Sequence, residues 1–245
     1  MDMDTATPSQ TGAPVASEAA GSERLAFLRR VYGHVLGAVM VFILLEYALF
    51  QSGIAEAVIP WMMARWWSWL VVIGLFAGAS ALADRMARAD APVPSQYAGL
   101  GLYVLAEAFI FLPLLYFPVM MMPAEEGREI LMFAAGATFG LFAVLSAVVF
   151  LSGKDFSFLG GILGIGMLIA LAAIVISAFM SWNLGLFFGI AMIALAGGFV
   201  LYNTSKVLHH YPTDAPVAVS LSITASLGLM FYYVLWVALQ FAGNE

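Results

Sequence analysis

No charged side chain interrupts the stretch FLGGILGIGMLIALAAIVISAFM between Phe158 and Met180. A helix needs about 20 mostly apolar residues to cross the hydrocarbon core of a bilayer. The stretch is therefore long enough to span a membrane as an α-helix. It shows none of the apolar–polar alternation that a transmembrane β-strand requires.

Six further apolar runs flank this one. Across the 245 residues 63% are hydrophobic and 10% charged, with a mean hydropathy of +0.98. A soluble domain is about half apolar and about a quarter charged. The sequence thus predicts an all-α integral membrane protein, a bundle of seven transmembrane helices within a lipid bilayer. The predicted spans are Val31–Phe50, Trp66–Ala83, Tyr97–Met122, Ile130–Leu151, Phe158–Met180, Asn183–Tyr202 and Val217–Phe241.

Residues 1–22 differ from the remainder in being rich in Ala, Ser, Thr, Gly and Pro. They lack the apolar core of a signal peptide. We predict a disordered cytoplasmic tail over residues 1–22 and a single transmembrane domain over residues 23–245.

Basic residues between the runs predict the orientation. Positive charge collects on the cytoplasmic side of membrane proteins. Seven basic residues fall on the side of the N-terminus and two, Arg65 and Arg128, on the other. The N-terminus is therefore predicted in the cytoplasm and the C-terminus in the periplasm. The seven are Arg24, Arg29, Arg30, Arg85, Arg88, Lys154 and Lys206.

Motifs of catalysis and cofactor binding do not occur. The chain has no G-x-S-x-G, H-E-x-x-H, P-loop or dinucleotide fingerprint, and no cysteine. The predicted spans hold no Asp, which argues against a two-aspartate intramembrane protease. Nine Lys and Arg residues without a basic run argue against nucleic-acid binding. We predict neither an enzyme nor a cofactor.

A metal site is also not predicted. His209 and His210 follow the sixth span, with Asp214 nearby. Adjacent histidines point in different directions, so we interpret them as an interfacial polar pair rather than as metal ligands.

Three glycine pairs spaced by four residues lie in the fourth, fifth and sixth spans. Small residues at this spacing allow two helix backbones to approach closely within lipid. We therefore predict a role in helix packing, with a functional cavity as the alternative, for Gly136 and Gly140, Gly160 and Gly164, and Gly185 and Gly189.

Two acids, Glu46 and Glu107, lie inside predicted spans. A charged carboxylate near the bilayer centre costs at least about 2.5–3.5 kcal/mol, so such groups face the bundle interior and are often functional. Both are candidates for sensing protons or ions. The alternative is a neutral carboxyl hydrogen-bonded to a hydroxyl or a carbonyl. We favour that alternative for Glu46 and keep both interpretations for Glu107.

Four stretches together resemble the Bax inhibitor-1 family, including its bacterial branch of modulators of a membrane-bound AAA protease. The resemblance covers about Leu25 to Phe241, and the third stretch is its most specific part. The stretches are Phe27-Leu-Arg-Arg-Val-Tyr-Gly33, Ala106-Glu-Ala-Phe-Ile-Phe-Leu-Pro113, Lys154-Asp-Phe-Ser-Phe-Leu-Gly-Gly161 and Gly197-Gly-Phe-Val-Leu-Tyr-Asn-Thr-Ser205.

The resemblance implies a central helix wrapped by the others, and in some members a calcium leak controlled by pH through two aspartates. Here Asn203 occupies the first aspartate position, and Thr224, or Ala225 with a one-residue slip, the second. These side chains cannot titrate, so the family's pH latch is predicted to be missing. Glu107 matches the family's acid in the third span.

The function predicted from these residues and the resemblance is that of a multipass protein of the bacterial inner membrane. It would modulate membrane proteolysis or stress tolerance through membrane partners, such as a membrane-bound AAA protease. The alternative is a pH-sensitive leak for calcium, other cations or protons. Glu107 and Glu46 would then carry the titration.

Overall fold

A computed structural model describes residues 14–180 and 182–243. Within these ranges the chain forms eight α-helices and one π-helical turn. The helices are α1 (Gly21–Gln51), α2 (Ile54–Met63), α3 (Trp66–Met86), α4 (Val93–Tyr116), the π-helical turn (Phe117–Met121), α5 (Ala124–Ser152), α6 (Leu159–Met180), α7 (Gly185–His209) and α8 (Pro216–Ala242).

All helices except α2 are long and apolar enough to cross a membrane, which confirms the predicted bundle of seven. The ends differ from the prediction. The first span was predicted from Val31, because the residues before it include charged ones such as Arg24 and Arg30. The helix α1 itself begins ten residues earlier, at Gly21. Apolar runs therefore locate the hydrocarbon part of a helix rather than its ends. The short helix α2 was not predicted.

The structured domain begins earlier than predicted. Residues 14–20 lie along the α7–α8 loop, where Val15 forms an antiparallel β-bridge with Pro212. The Ser17 amide donates to the Leu208 carbonyl at 2.8 Å, and Ala16 is fully buried. The predicted boundary at residue 22 is therefore wrong for residues 14–22. The rest of the predicted tail, residues 1–13, lies outside the described residues.

The chain alternates direction at each span, so Arg24, Arg88, Lys154 and Lys206 come to the same end of the bundle. We call this the basic end. Contacts between distant segments support it: Glu23 accepts a hydrogen bond from the Thr213 hydroxyl at 3.2 Å.

Helix α8 occupies the centre of the bundle. In its most apolar part 61% of the residues are buried, against 11–39% in the other spanning helices. It packs against α1, α4, α5 and α7. Its buried hydroxyls bond to its own backbone, as Thr224 does to the Ser220 carbonyl at 2.8 Å. This arrangement lets a helix with several hydroxyl residues fill an apolar core.

The three glycine pairs contribute unequally to packing. A Cβ at Gly189 would meet the Trp236 ring at 2.5 Å, and one at Gly160 would meet Tyr202 at 2.8 Å, so both glycines permit close helix contacts. The packing prediction is wrong for the others, since no described atom of a neighbouring helix lies within 4 Å of their Cβ positions. These are Gly136, Gly140, Gly164 and Gly185.

Candidate functional site

A cavity of about 910 Å³ lies between α3, α4, α6, α7 and α8. Along α3 it extends from Trp69 to Asp84, about 22 Å at 1.5 Å per residue. Its volume lies at the upper end of the range of about 300–1,000 Å³ that is typical of ligand pockets. The surrounding side chains are mostly apolar or aromatic, among them Phe76, Phe111, Leu171, Phe188 and Trp236.

Glu107 lies on α4 at the wall of this cavity and is only 5% exposed. Its side chain is pressed against the central helix, because a Cβ at Gly228 would overlap its Oε1 atom. Tyr103, one turn earlier on the same face of α4, interacts with the carboxyl group. The structure thus places Glu107 inside the bundle, at a position where α8 has no side chain.

Glu46 is also buried, at 7% exposure, but it does not line the cavity. Neither of its carboxyl oxygens has a hydrogen-bond partner among the described residues. The predicted alternative of a carboxyl bonded to a hydroxyl or carbonyl is therefore not seen for Glu46. Its carboxyl lies near enough to Glu107 for the two groups to interact electrostatically.

Asp84 is a site residue that the sequence analysis missed. It lies within α3 and within the spanning segment Trp67–Met86, so the expectation that no span contains an aspartate is wrong. It lines the cavity at the basic end and interacts electrostatically with Tyr103. The available signal was the four-residue spacing of Phe76, Ser80 and Asp84, which places them on one helix face.

Asn203 on α7 lines the cavity, whereas Thr224 on α8 does not. The Asn203 amide nitrogen donates to the Ser226 hydroxyl at 2.7 Å and to the Ser222 carbonyl at 3.2 Å. Ala225 is the cavity-lining residue between these two partners. The structure therefore does not place Thr224 on the helix face that meets Asn203, and it favours the one-residue slip.

A second cavity of about 570 Å³ continues from the first at the basic end, because Asp84, Leu221 and Ser222 line both. We call it the vestibule. Arg88 and Asp90 also line it and form an exposed ion pair at 3.2 Å. The vestibule thus carries charges of both signs, next to an apolar cavity.

The stretch Lys154–Gly161 fastens α6 to the end of α7. Asp155 accepts hydrogen bonds from the Ser157 amide at 2.8 Å and the Ser205 hydroxyl at 3.0 Å, and it lies 3.1 Å from His210. These partners, the Ser157 amide first, hold the pKa of Asp155 at about 2. The most specific stretch of the resemblance therefore has a structural role here.

The two histidines have separate partners. His210 contacts Asp155, whereas the Nδ1 atom of His209 lies 3.1 Å from the Ser205 carbonyl oxygen. Among the residues that the structure describes, no group of three His, Cys, Asp or Glu side chains is placed to hold a metal ion. Each histidine thus has a polar partner of its own near the end of α7.

The sequence from residue 24 to residue 243 matches the family described as "Inhibitor of apoptosis-promoting Bax1". The chain belongs to this Bax inhibitor-1 family. The match includes all seven spanning helices and both cavities, although α1 begins three residues before it.

Two proteins of Escherichia coli resemble the chain in sequence. The "Modulator of FtsH protease YccA" of strain K12 is 30% identical over 118 residues. The "Inner membrane protein YccA" of strain O6:H1 shows the same identity over the same length. In each case the alignment covers 48% of this chain and 53% of the relative. The chain is thus aligned with about half the length of these relatives.

Membership of the Bax inhibitor-1 family allows the cavity residues to be compared with the aspartate positions that the family implies. The family resemblance implied two aspartates near one end of the bundle, and the structure places Asn203, Ala225 and Ser226 at that level of the cavity wall. Asp84 lies on the opposing helix α3. Among the residues that the structure describes, the carboxyls that line the cavity are those of Glu107 on α4 and Asp84 on α3.

Proposed function

We propose that the chain is a non-catalytic modulator of a membrane-bound AAA protease in a bacterial inner membrane. The observation that carries the proposal is the 118-residue similarity of this Bax inhibitor-1 family chain to a protein named as a modulator of such a protease. The modulation would proceed through direct contacts between membrane proteins.

The small amount of described protein outside the bilayer supports contacts within the membrane. The connections between spanning helices are short, apart from the ten-residue helix α2, and they leave little protein outside the bilayer. A partner would therefore meet either the lipid-facing sides of the helices or residues 1–13. Helices associate in lipid through close packing and polar contacts, so neither route needs a soluble domain.

The orientation is part of the proposal. The basic end would face the cytoplasm, following the seven-to-two distribution of basic residues. Residues 1–13 would then lie on the side where an AAA protease unfolds its substrates. The C-terminus would lie in the periplasm.

The leak for calcium, other cations or protons would have to run through the cavity. Among its lining residues the ionisable acids are Glu107 and Asp84, and most of the others are apolar or aromatic. Pathways for ions are lined by rings of carbonyls or charged side chains. We therefore prefer the modulator, and sensing by Glu107 and Glu46 stays a prediction.

Co-purification tests the proposal. The chain would be crosslinked and isolated, under mild detergent, from native membranes that contain an AAA protease, with an unrelated seven-helix protein as the control. We expect the protease to be enriched with this chain and not with the control protein. Equal recovery with the control protein would contradict a direct contact.

A further inference from the structure

The interior of the 910 Å³ cavity is chemically a lipid-like environment. Side chains such as Ile73, Phe111, Leu171 and Phe199 form most of its wall. Its polar side chains are few, and several are already paired with one another, as Asn203 is with Ser226 and Tyr103 with Glu107. An apolar cavity does not hold ordered water unless several polar partners converge on each site. The lining therefore suits a hydrocarbon chain better than a column of water.

The dimensions restrict the occupant. The cavity follows α3 for about 22 Å, a large part of the hydrocarbon thickness of about 30 Å. A helix of a partner protein, about 10 Å across, would need roughly twice the volume of 910 Å³ over that length. An extended acyl chain meets the length without exceeding the volume.

The wall between α3 and α6 offers an entrance from the bilayer. Helix α6 buries only Leu163 and Ala170 among its described residues, and it packs mainly against α7. Its contact with α3 is limited to a few positions. An acyl chain could pass this seam without leaving the hydrocarbon, whereas a charged solute would have to cross the apolar wall.

The vestibule supplies a place for a polar headgroup at the level of the basic end. Asp84 has no hydrogen-bond or ion-pair partner among the described residues, and Asp90 adds a second carboxylate beside Arg88. Asp84 and Asp90 against Arg88 leave the lining of the vestibule with an excess of one carboxylate, which favours an ammonium group, while Lys206 lies beside Tyr211 at its edge. Arg88 is exposed and can also contact a phosphate.

We propose that the cavity binds one acyl chain of an ethanolamine phospholipid, whose ammonium and phosphate groups lie in the vestibule against Asp84 and Arg88. The lipid can be the diacyl form, with its second chain in the bilayer, or the lyso form. This inference does not depend on modulation of a protease, since it rests on the lining, the length and the charges of the two cavities.

Photocrosslinking tests the chain site. The full-length protein in vesicles is irradiated with lysophosphatidylethanolamine, or with its diacyl form, carrying a photoreactive group at the chain end. We expect adducts on cavity residues such as Phe111 and Leu171. Ala225→Trp and Ala77→Phe, which fill the cavity from opposite walls, should abolish these adducts. The matched control Leu168→Trp, on the exposed side of α6, should not.

The comparison of the two probes identifies the source of the lipid. Adducts from either form at the cavity residues support the site, and their ratio shows which form is preferred. Adducts confined to outward-facing residues such as Leu168 would overturn the proposal. Equal adduct yields from Ala225→Trp, Ala77→Phe and the wild type would overturn it as well.

A cysteine probe separates a lipid-filled cavity from a hydrated one. Because the chain has no cysteine, Ala225→Cys introduces a single thiol at the cavity wall. We expect slow labelling by a charged, water-soluble thiol reagent and faster labelling once bound lipid has been removed with detergent. Rapid labelling in lipid vesicles would show an aqueous path and overturn the proposal.

The headgroup assignment is tested with Asp84→Asn. Loss of one partly hydrated charge pair is worth up to about 1 kcal/mol, so retention of ethanolamine lipid in native mass spectra should fall about three- to fivefold. Retention of phosphatidylglycerol should not fall. An unchanged preference between the two lipids would contradict the placement of the headgroup at Asp84.

Discussion

The amide of Asn203 on α7 and the hydroxyl of Ser226 on α8 are joined by a hydrogen bond of 2.7 Å across the cavity wall. The same amide also donates to the Ser222 carbonyl, so it joins α7 to two turns of the central helix. This contact occupies the place at which the family resemblance implied a pair of aspartates. A neutral link therefore stands where the family resemblance implies a titratable pair.

The register of α8 predicts which substitutions would create such a pair. Asn203→Asp combined with Ala225→Asp should place two carboxyls on facing helices, where they repel each other once both are ionised. The thermal stability of this variant should depend on pH between 5 and 8 more strongly than that of either single variant.

The matched control is Asn203→Asp combined with Thr224→Asp. Because Thr224 does not line the cavity, the pH dependence of this double variant's stability should be close to the sum of the two single effects. If the Thr224 combination showed the stronger coupling, the register derived from the Ser226 contact would be wrong.

The contact of Glu107 with Gly228 predicts a steric effect. Gly228→Ala should lower the free energy of unfolding by about 1–3 kcal/mol, because the new Cβ overlaps the Glu107 carboxyl. Gly136→Ala is the control, since no described atom of a neighbouring helix lies within 4 Å of its Cβ position. Unfolding in mild detergent would be measured for both.

Removing the carboxyl group should relieve the overlap. In the background of Glu107→Ala, the change Gly228→Ala should cost clearly less than in the wild type. A cost that is the same in both backgrounds would show that Glu107 does not press on α8.

The hydrogen bonds of Asp155 predict a pH-dependent contribution to stability. The pKa of Asp155 in the folded protein is about 2, below the ordinary value of 3.8. The ionised form is therefore favoured by folding. Its contribution is present above about pH 4 and is lost as the pH falls towards 2.

Asp155→Asn should accordingly lower the unfolding temperature at pH 7, and the difference from the wild type should shrink as the pH is lowered below 4. The exposed Asp214 provides the control, because Asp214→Asn removes the same charge from the adjacent loop. An equal effect of the two substitutions would show that only net charge matters.

The seven spans could be predicted from the sequence because hydrocarbon requires long apolar helices. The ends could not, since α1 continues through Arg24, Arg29 and Arg30 in the polar region, where hydropathy carries no signal. Helix α2 escaped prediction because its ten residues are too few for a span and Pro60 lies within them. The segment 14–20 was missed because its contacts lie nearly 200 residues away in sequence, at Leu208 and Pro212.

The cavity was only partly predictable. Glu107 was identified because a lone acid in a span is costly, and Asn203 because of the family resemblance. Asp84 was lost through an error of a single residue, since the second span was predicted to end at Ala83. Which face of α8 meets α7 depends on packing among several helices, and the sequence alone did not distinguish Thr224 from Ala225.

The proposed orientation is tested with reporter fusions. A reporter after Glu245 should be active only as a periplasmic protein, and one in the loop near Arg88–Asp90 only as a cytoplasmic one. The insertion should avoid Asp84 and the residues up to Met86, because they belong to α3. Cytoplasmic activity of the fusion after Glu245 would contradict the orientation.

The most direct test of the proposed function is the half-life of a membrane-protein substrate in vesicles that contain a purified bacterial membrane AAA protease, with and without this chain. We predict that the full-length chain changes the half-life in proportion to its amount, while an unrelated seven-helix protein at the same density does not. An unchanged substrate half-life, with the chain itself merely degraded, would contradict the account.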